Sequence, residues 1–392
     1  MFFKKEGKKL KIAAIICEYN PFHKGHLYHV RKSKEELGLD AVVALMSGNF
    51  VQRGLPSAYS KYERAKIACE CGCDLVLELP IFSSIAPADI FAKNAVTILN
   101  KLNVIDYLSF GSEDGIETLR KADEIMKAKK NEFDELMKKH LKSGFSYSRA
   151  YALSFNELSS SDIMTKSNNI LAYMYISALN ETKSKIKAFS IRRQGPGYND
   201  NKFANDIASA THIRELIYKG EDVSCFVPSL TNEDILSLEK YFNLIKASFL
   251  RESDYTKYFE YNEDTVNYIN KYIYEAQSYN EFISIVSKKN FSRSRINRFL
   301  LAMLLNIEKD CISRDKNYDF IVPLCANERG KEILSDIKIK SDVKIISKYK
   351  DVYEVNDEDK SVLNKMIKSD QMYYFMKGMN VKDAYKINLL SV

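Results

Sequence analysis

No apolar run in this 392-residue chain approaches the length of a membrane span. The opening residues, Met1-Phe2-Phe3-Lys4-Lys5-Glu6-Gly7-Lys8-Lys9, are charged and carry no apolar signal core. The expected location is therefore the cytoplasm, with no membrane partner. Cysteine is sparse: seven residues in a chain of this length make no disulfide scaffold. Cys69, Cys71 and Cys73 alternate without the Cys-x-x-Cys pairs or neighbouring His of a zinc site. They read as small core residues, and no metal ligands are expected. No Gly-x-x-x-x-Gly-Lys-Ser/Thr run is present, which disfavours a P-loop ATPase, and no Ser-His-Asp or nucleophilic-cysteine signature is apparent. Histidine is scarce too, and its placement is informative. Of five, His23, His26, His29 and His212 fall in two short motifs, and only His140 lies elsewhere.

The rest of the composition is ordinary for a globular protein, 45% apolar and 28% charged. A net charge of +7 admits a nucleic-acid partner, and fits a lysine-rich solvated surface equally well. The length suits two domains.

Strands and helices alternate as far as about residue 220. Apolar runs at 11–17, 41–46, 74–79, 105–110 and 185–191 read as buried parallel strands. Helices are expected at 25–37, 60–71, 87–102, 115–141, 146–155, 167–182 and 211–218. The pattern predicts an α/β fold, a Rossmann-like parallel sheet in a domain spanning 10–220. Beyond residue 221 the rhythm stops. Amphipathic, Tyr- and Phe-rich runs at 232–247 and 263–285 predict a mainly helical, basic domain spanning 221–392.

The first motif is Asn20-Pro21-Phe22-His23-Lys24-Gly25-His26, between the first strand and its helix. Two imidazoles three residues apart share one face of a first helical turn. Backbone N–H groups and the positive end of the helix dipole also gather there, so the turn suits phosphate. The second motif is Ala208-Ser209-Ala210-Thr211-His212-Ile213-Arg214, at another helix start. Three loops at strand ends complete the candidate site. Gly48, Gln52 and Arg53 form a candidate substrate loop, Gly111 follows the fourth strand, and Arg192 and Arg193 follow the fifth. Each loop also reads as a plain connection, and Asn169 reads first as a helix cap.

Asn20-x-x-His23-x-Gly25-His26 resembles the HIGH-type signature of the nucleotidyltransferase superfamily. The second motif looks like that superfamily's I-S-S-T-x-I-R signature, with Ala210 in place of Ser. The resemblance implies attack on the α-phosphate of a nucleoside triphosphate with release of pyrophosphate. His23, His26, Thr211 and Arg214 would be catalytic. ATP would lie along Ile16, Cys17, Glu18, Tyr19, Asn20, Pro21, Phe22, His23, Lys24, Gly25, His26 and His29. Gly111, Asn169, Arg192, Arg193 and Ser209 would complete its site, and Mg²⁺ would accompany the triphosphate.

Glu18-Tyr19-Asn20-Pro21-Phe22-His23, the 47–54 loop, Phe110-Gly111-Ser112-Glu113 and the second motif together are similar to the tRNA(Met) cytidine acetate ligase family. The likeness runs over the chain from about residue 11 and includes the basic segment of Arg293, Arg295 and Arg298. It implies an enzyme that uses ATP to activate acetate as acetyl-adenylate. The acetyl group would then pass to the wobble cytidine of elongator tRNA(Met), giving N4-acetylcytidine. Arg293, Arg295 and Arg298 would contact the tRNA. The alternatives are a small-molecule adenylyltransferase acting on a phosphorylated cofactor precursor, and a non-catalytic RNA-binding protein. The long stretch after the second motif argues against the first, and the intact His23, His26, Thr211 and Arg214 against the second.

Overall fold

The computed structural model describes residues 9–143, 145, 147–192, 208–287 and 292–392, with the side chains of 147, 148 and 167 outside the description. The first strand, β1 (Ile12–Cys17), is nearly all apolar and mostly buried. It leads into α1 (Lys24–Leu37), which Gly38 ends in the left-handed conformation at φ 57°. The strand β2 (Ala41–Ser47) is buried at every position, as a central parallel strand must be. A small hairpin follows, β3 (Phe50–Val51) against β4 (Leu55–Pro56). The Ser60 side chain accepts the Glu63 amide and so opens α2 (Lys61–Glu70). Then come β5 (Leu75–Leu79), α3 (Ile81–Ser84), α4 (Ala88–Lys101) and β6 (Tyr107–Ser112).

The expected 115–141 helix is two helices, α5 (Ile116–Ala128) and α6 (Lys130–Lys142), broken at Lys129 with φ −117°. They are followed by α7 (Tyr147–Ser159), α8 (Ser167–Glu181), β7 (Lys187–Arg192) and α9 (Ala210–Tyr218). The strand β6 also runs further than its apolar stretch suggests. Gly111 and Ser112 are not loop but pair with Ile191 and Arg192 of β7. Pairing with a neighbour, invisible to local pattern, extends it.

Downstream, α10 (Leu238–Arg251) starts later than expected, where Ser237 caps it. The 263–285 run is two helices, α11 (Glu263–Tyr272) and α12 (Tyr279–Val286), the second capped by Ser278. α13 (Arg293–Leu305) follows, capped by Ser292. The chain then returns to the core through β8 (Phe320–Ala326), α14 (Glu328–Lys340), β9 (Lys344–Ile345), α15 (Asp357–Lys377) and β10 (Leu390–Ser391).

The strands form one eight-stranded sheet in the order β10-β8-β5-β2-β1-β6-β7, with β9 beside β8. All pairs are parallel except β5 with β8. The sheet therefore takes strands from beyond residue 221, where no strand was expected. The run responsible contains Pro323, which argues against a central strand. Its pairing with β5 absorbs the proline through a register shift between Val76 and Leu77. From β1 the chain proceeds to β2 on one side and later to β6 on the other. That reversal opens a crevice at the carboxyl ends of β1 and β6, where ligands of open α/β sheets bind.

Candidate active site

The turn after β1 is shaped from inside. Tyr19 adopts φ 48°, and the Asn20–Pro21 peptide is cis. Tyr19 and Phe22 are buried with their rings edge to face at 4.7 Å. The Tyr19 ring also lies 4.8 Å from that of His26. His23 is the N-cap of α1, and its Nδ1 accepts the Gly25 amide at 3.1 Å. His26 reaches back, its Nδ1 accepting the His23 amide at 3.3 Å. This is a capping box made by two histidines. The rings stack at 3.7 Å, 23° apart. Because each Nδ1 accepts an amide proton, the neutral tautomer of each ring carries its hydrogen on Nε2, a donor suited to phosphate oxygen.

One expectation changes here. The first-turn amides of α1 are not turned loose toward a ligand: Lys24 N donates to Phe226 O at 2.9 Å and Gly25 N to His23. The side chains, rather than the amides, are what this turn presents.

The second motif comes to the same place. Ser209 caps α9, accepting the His212 amide at 3.2 Å. Ile213 is fully buried against Val223 and Val227, and this anchors the segment. One turn on, Arg214 donates through Nη1 to the Asn20 carbonyl at 2.6 Å and through Nη2 to Thr211 Oγ1 at 3.2 Å. Burial lowers the proton affinity of this guanidinium, and Glu18 opposes that effect. A paired histidine turn and a capped second helix, joined by one arginine at the switch point of a parallel sheet, make a nucleotide site.

Comparison with known proteins agrees. The family model "HIGH Nucleotidyl Transferase" matches residues 10–386. A tRNA(Met) cytidine acetate ligase of Clostridium perfringens is 38% identical over 97% of this chain and 99% of its own length. Its counterpart in Caldicellulosiruptor bescii is 34% identical over 96% of each chain. The crystal structure of Thermotoga maritima TmcAL bound with alpha-thio ATP superposes with a TM-score of 0.86 at 28% identity, covering 98% of this chain and all of that one. The chain belongs to the tRNA(Met) cytidine acetate ligase family.

The other expected site residues of this family member fall into three groups. Ile16, Cys17 and Glu18 are half-buried at the end of β1, and Gly111 lies at the end of β6 on the far side of the crevice. His29 points across the sheet and bonds Ser109 Oγ through Nε2 at 2.9 Å. Arg192 is exposed at the end of β7, whereas Arg193 lies outside the described residues. Asn169 is fully buried. Its Oδ1 accepts the Glu113 and Asp114 amides at 2.9 and 3.1 Å, and its Nδ2 donates to Asp114 Oδ2 and Ile163 O. It holds the shape of the loop after β6, which is how it bears on the site.

In the substrate loop, the Gln52 amide donates to Glu18 Oε1 at 3.0 Å, while Arg53 is exposed. A Cβ on Gly48 would lie 2.3 Å from Glu78 Oε1, so a side chain there would have to displace that carboxylate from Lys61. Of the three expected tRNA-binding arginines, Arg293 is exposed. Arg295 and Arg298 both bond Glu260, at 2.9 and 2.6 Å, and the Arg298 side chain is only 12% exposed.

Two important side chains escaped the sequence reading. Arg64 is completely buried and donates to the carbonyls of Glu18, Ser47, Gly48 and Tyr59, tying the ends of β1 and β2 together. Lys61 is buried between Glu78 at 2.7 Å and Asp370 at 2.5 Å, and Asn49 bonds the same Asp370. The signal was present: Lys61, Arg64, Ala65 and Ala68 occupy the i, i+3, i+4, i+7 stripe of an inward helix face. Among the described residues no three His, Cys, Asp or Glu side chains gather as metal ligands, and no helix is long and apolar enough to cross a membrane.

Proposed function

We propose that the protein activates acetate with ATP and passes the acetyl group to the wobble cytidine of elongator tRNA(Met), giving N4-acetylcytidine. The observation that carries this reading is the bond from Arg214 to Asn20, which brings the two signatures of a ligase family member into one site.

In the first step a carboxylate oxygen of acetate attacks the α-phosphorus of ATP. The bond to the bridging oxygen breaks and pyrophosphate leaves. Such a displacement needs alignment and charge stabilisation rather than a protein nucleophile. His23 and His26 donate from Nε2 to phosphate oxygens as charge accumulates. Ser209 and Thr211 hold the β- and γ-phosphates at the start of α9, and Arg214 neutralises the departing pyrophosphate. Mg²⁺ enters with the triphosphate. When bound it would neutralise phosphate charge beside the donor groups of His23, His26 and Arg214.

In the second step the exocyclic amine of the cytidine attacks the acetyl carbon, AMP leaves, and the amine proton is lost. The mixed anhydride is reactive, so the protein mainly orients the two partners and keeps water out. The base has to be splayed from the anticodon stack to reach the crevice. Residues 10–220 carry both signatures, and the part beyond residue 221, although its last strands complete the same sheet, adds tRNA contacts such as the exposed Arg293 to phosphate. A tRNA substrate places the enzyme in the cytoplasm.

The test is ATP–pyrophosphate exchange with and without acetate, followed by addition of elongator tRNA(Met). The expected result is acetate-dependent exchange and N4-acetylcytidine at the wobble position. Exchange that ignores acetate but responds to a phosphorylated small molecule would establish the rival adenylyltransferase instead.

A further inference from the structure

At the opposite end of the sheet, beside the amino ends of β1, β6 and β7, a cleft of about 580 Å³ opens. Lys9, Lys11, Lys183, Lys185 and Lys187 line it, and Asp106 is its single carboxylate. Asp106 is already engaged. Its Oδ1 pairs with Lys9 at 3.0 Å, and its Oδ2 accepts the Ile12 amide at 3.0 Å. The Lys11 ammonium donates to the Leu37 carbonyl and lies 5.4 Å from the Tyr107 ring centre. Lys183, Lys185 and Lys187 are exposed, and none makes an ion pair among the described residues.

The chemistry of the cleft selects its ligand. The neighbouring ends of α4 and α8 are carboxyl termini, so no helix amino end is offered to a small phosphate. The cleft has no arginine to fork a phosphate bidentately. What it offers is a row of lysine point charges on the segment leading into the border strand, suited to successive phosphates on a chain. A lysine on an edge strand commonly only discourages pairing with other molecules. That accounts for Lys187 and leaves Lys183 and Lys185, which precede β7, unexplained.

We propose that this cleft binds backbone phosphates of the tRNA body, beyond the anticodon arm, while the anticodon occupies the crevice at the other end of the sheet. The proposal rests on the tRNA reading above. A strand of six residues is about 20 Å long, so the two surfaces lie roughly that far apart. To reach the cleft from the crevice the RNA has to pass around the β7 edge, a path longer than that straight-line separation, which favours the parts of a whole tRNA beyond the anticodon arm over the stem–loop.

The experiment compares the wild type with the Lys183→Gln/Lys185→Gln/Lys187→Gln variant, none of these residues being in the catalytic machinery. Binding of whole elongator tRNA(Met) and of its isolated anticodon stem–loop is measured across a salt series, alongside acetate-dependent ATP–pyrophosphate exchange. The variant is expected to bind whole tRNA about tenfold more weakly, with a salt slope shallower by about 2. Stem–loop binding and exchange should be unchanged. The Lys→Arg version of the same three positions should bind like wild type. Unchanged whole-tRNA binding, or equal losses for whole tRNA and stem–loop, would overturn the proposal. So would weakened binding by the arginine version, since charge would then not be the cause. Wild-type protein that binds no tRNA would instead reject the functional reading on which the proposal rests.

Discussion

Arg214 and Asn20 stand 194 residues apart in sequence and 2.6 Å apart in space, guanidinium to main-chain carbonyl. The bond anchors α9 to the turn that carries His23 and His26. It also fixes the guanidinium beside Thr211, so one side chain both assembles the site and supplies its charge.

Arg214→Ala is therefore expected to lower ATP–pyrophosphate exchange at least 10²-fold, the usual loss for a donor that acts on transition-state charge. Arg214→Lys keeps the charge but cannot reach the carbonyl and the hydroxyl together, so it should recover only part of the rate. Full recovery with lysine would mean that charge alone matters and that the Asn20 bond is incidental.

His26→Ala removes both an Nε2 donor and half of the histidine capping box. The expected outcome is a 10²- to 10³-fold loss of exchange with tRNA affinity kept. Loss of a cap costs about 1 kcal/mol, so a small fall in melting temperature should accompany it. A fully active variant would remove His26 from the mechanism.

Gly54 sits at φ 74°, and a Cβ there would lie 2.3 Å from Arg298 N and 2.5 Å from the Asn297 carbonyl carbon. Gly54→Ala should cost well over 1 kcal/mol, because neither the conformation nor the space suits a side chain. Urea unfolding would show it as a lower midpoint. An unchanged midpoint would mean that the substrate loop does not rest on α13 in solution.

The two ends of the arginine segment should behave differently. Arg293→Glu alters an exposed charge, and it should weaken tRNA binding and acetyl transfer while sparing exchange. Arg298→Glu places a second carboxylate against Glu260. It should impair exchange and transfer together through the fold. Identical behaviour of the two variants would show that the Glu260 pair has no structural role.

Burial raises the Glu78 carboxyl from its usual 4.5 to about 7, with Lys61 opposing and Asp370 adding to the shift. A carboxyl raised on folding binds its proton more tightly in the native state. Its contribution to stability is thus fully present below about pH 4.5 and is lost as pH climbs through 7. Urea midpoints of wild type and Glu78→Gln, measured from pH 4.5 to 7.5, should diverge. Wild type should lose the Glu78 contribution as pH rises, and the variant should lack that slope. Parallel curves would place the titration elsewhere.

Much of the site was legible locally. The strand β1, the turn, and the helix start at the second motif each depend on a few adjacent residues, and the sequence patterns located them closely. The misses were of another kind. No strand was expected at β8, whose run contains Pro323, and only pairing with β5 shows how that proline is accommodated. Lys61 and Arg64 were not singled out among the charges of the 60–71 helix, although they lie on its buried face. For Asn169, expected first as a helix cap and then along the ATP site, the structure adds that its amide is fully bonded within the protein. Nor does local pattern show that Arg295 and Arg298 share the Glu260 carboxylate.

The sequence by itself determined the kind of chemistry. Two histidines three apart at a strand end, and a Ser-Ala-Thr-His-Ile-Arg cap further on, specify donors at helix starts through interactions that span one turn. Only the tertiary structure decided that these donors meet, that the last strands rejoin the sheet, and that a lysine and an arginine are held inside it. Those outcomes depend on burial and on hydrogen bonds between residues far apart in the chain. A buried charge is tolerable only where partners from several elements converge on it, and no local pattern records that convergence.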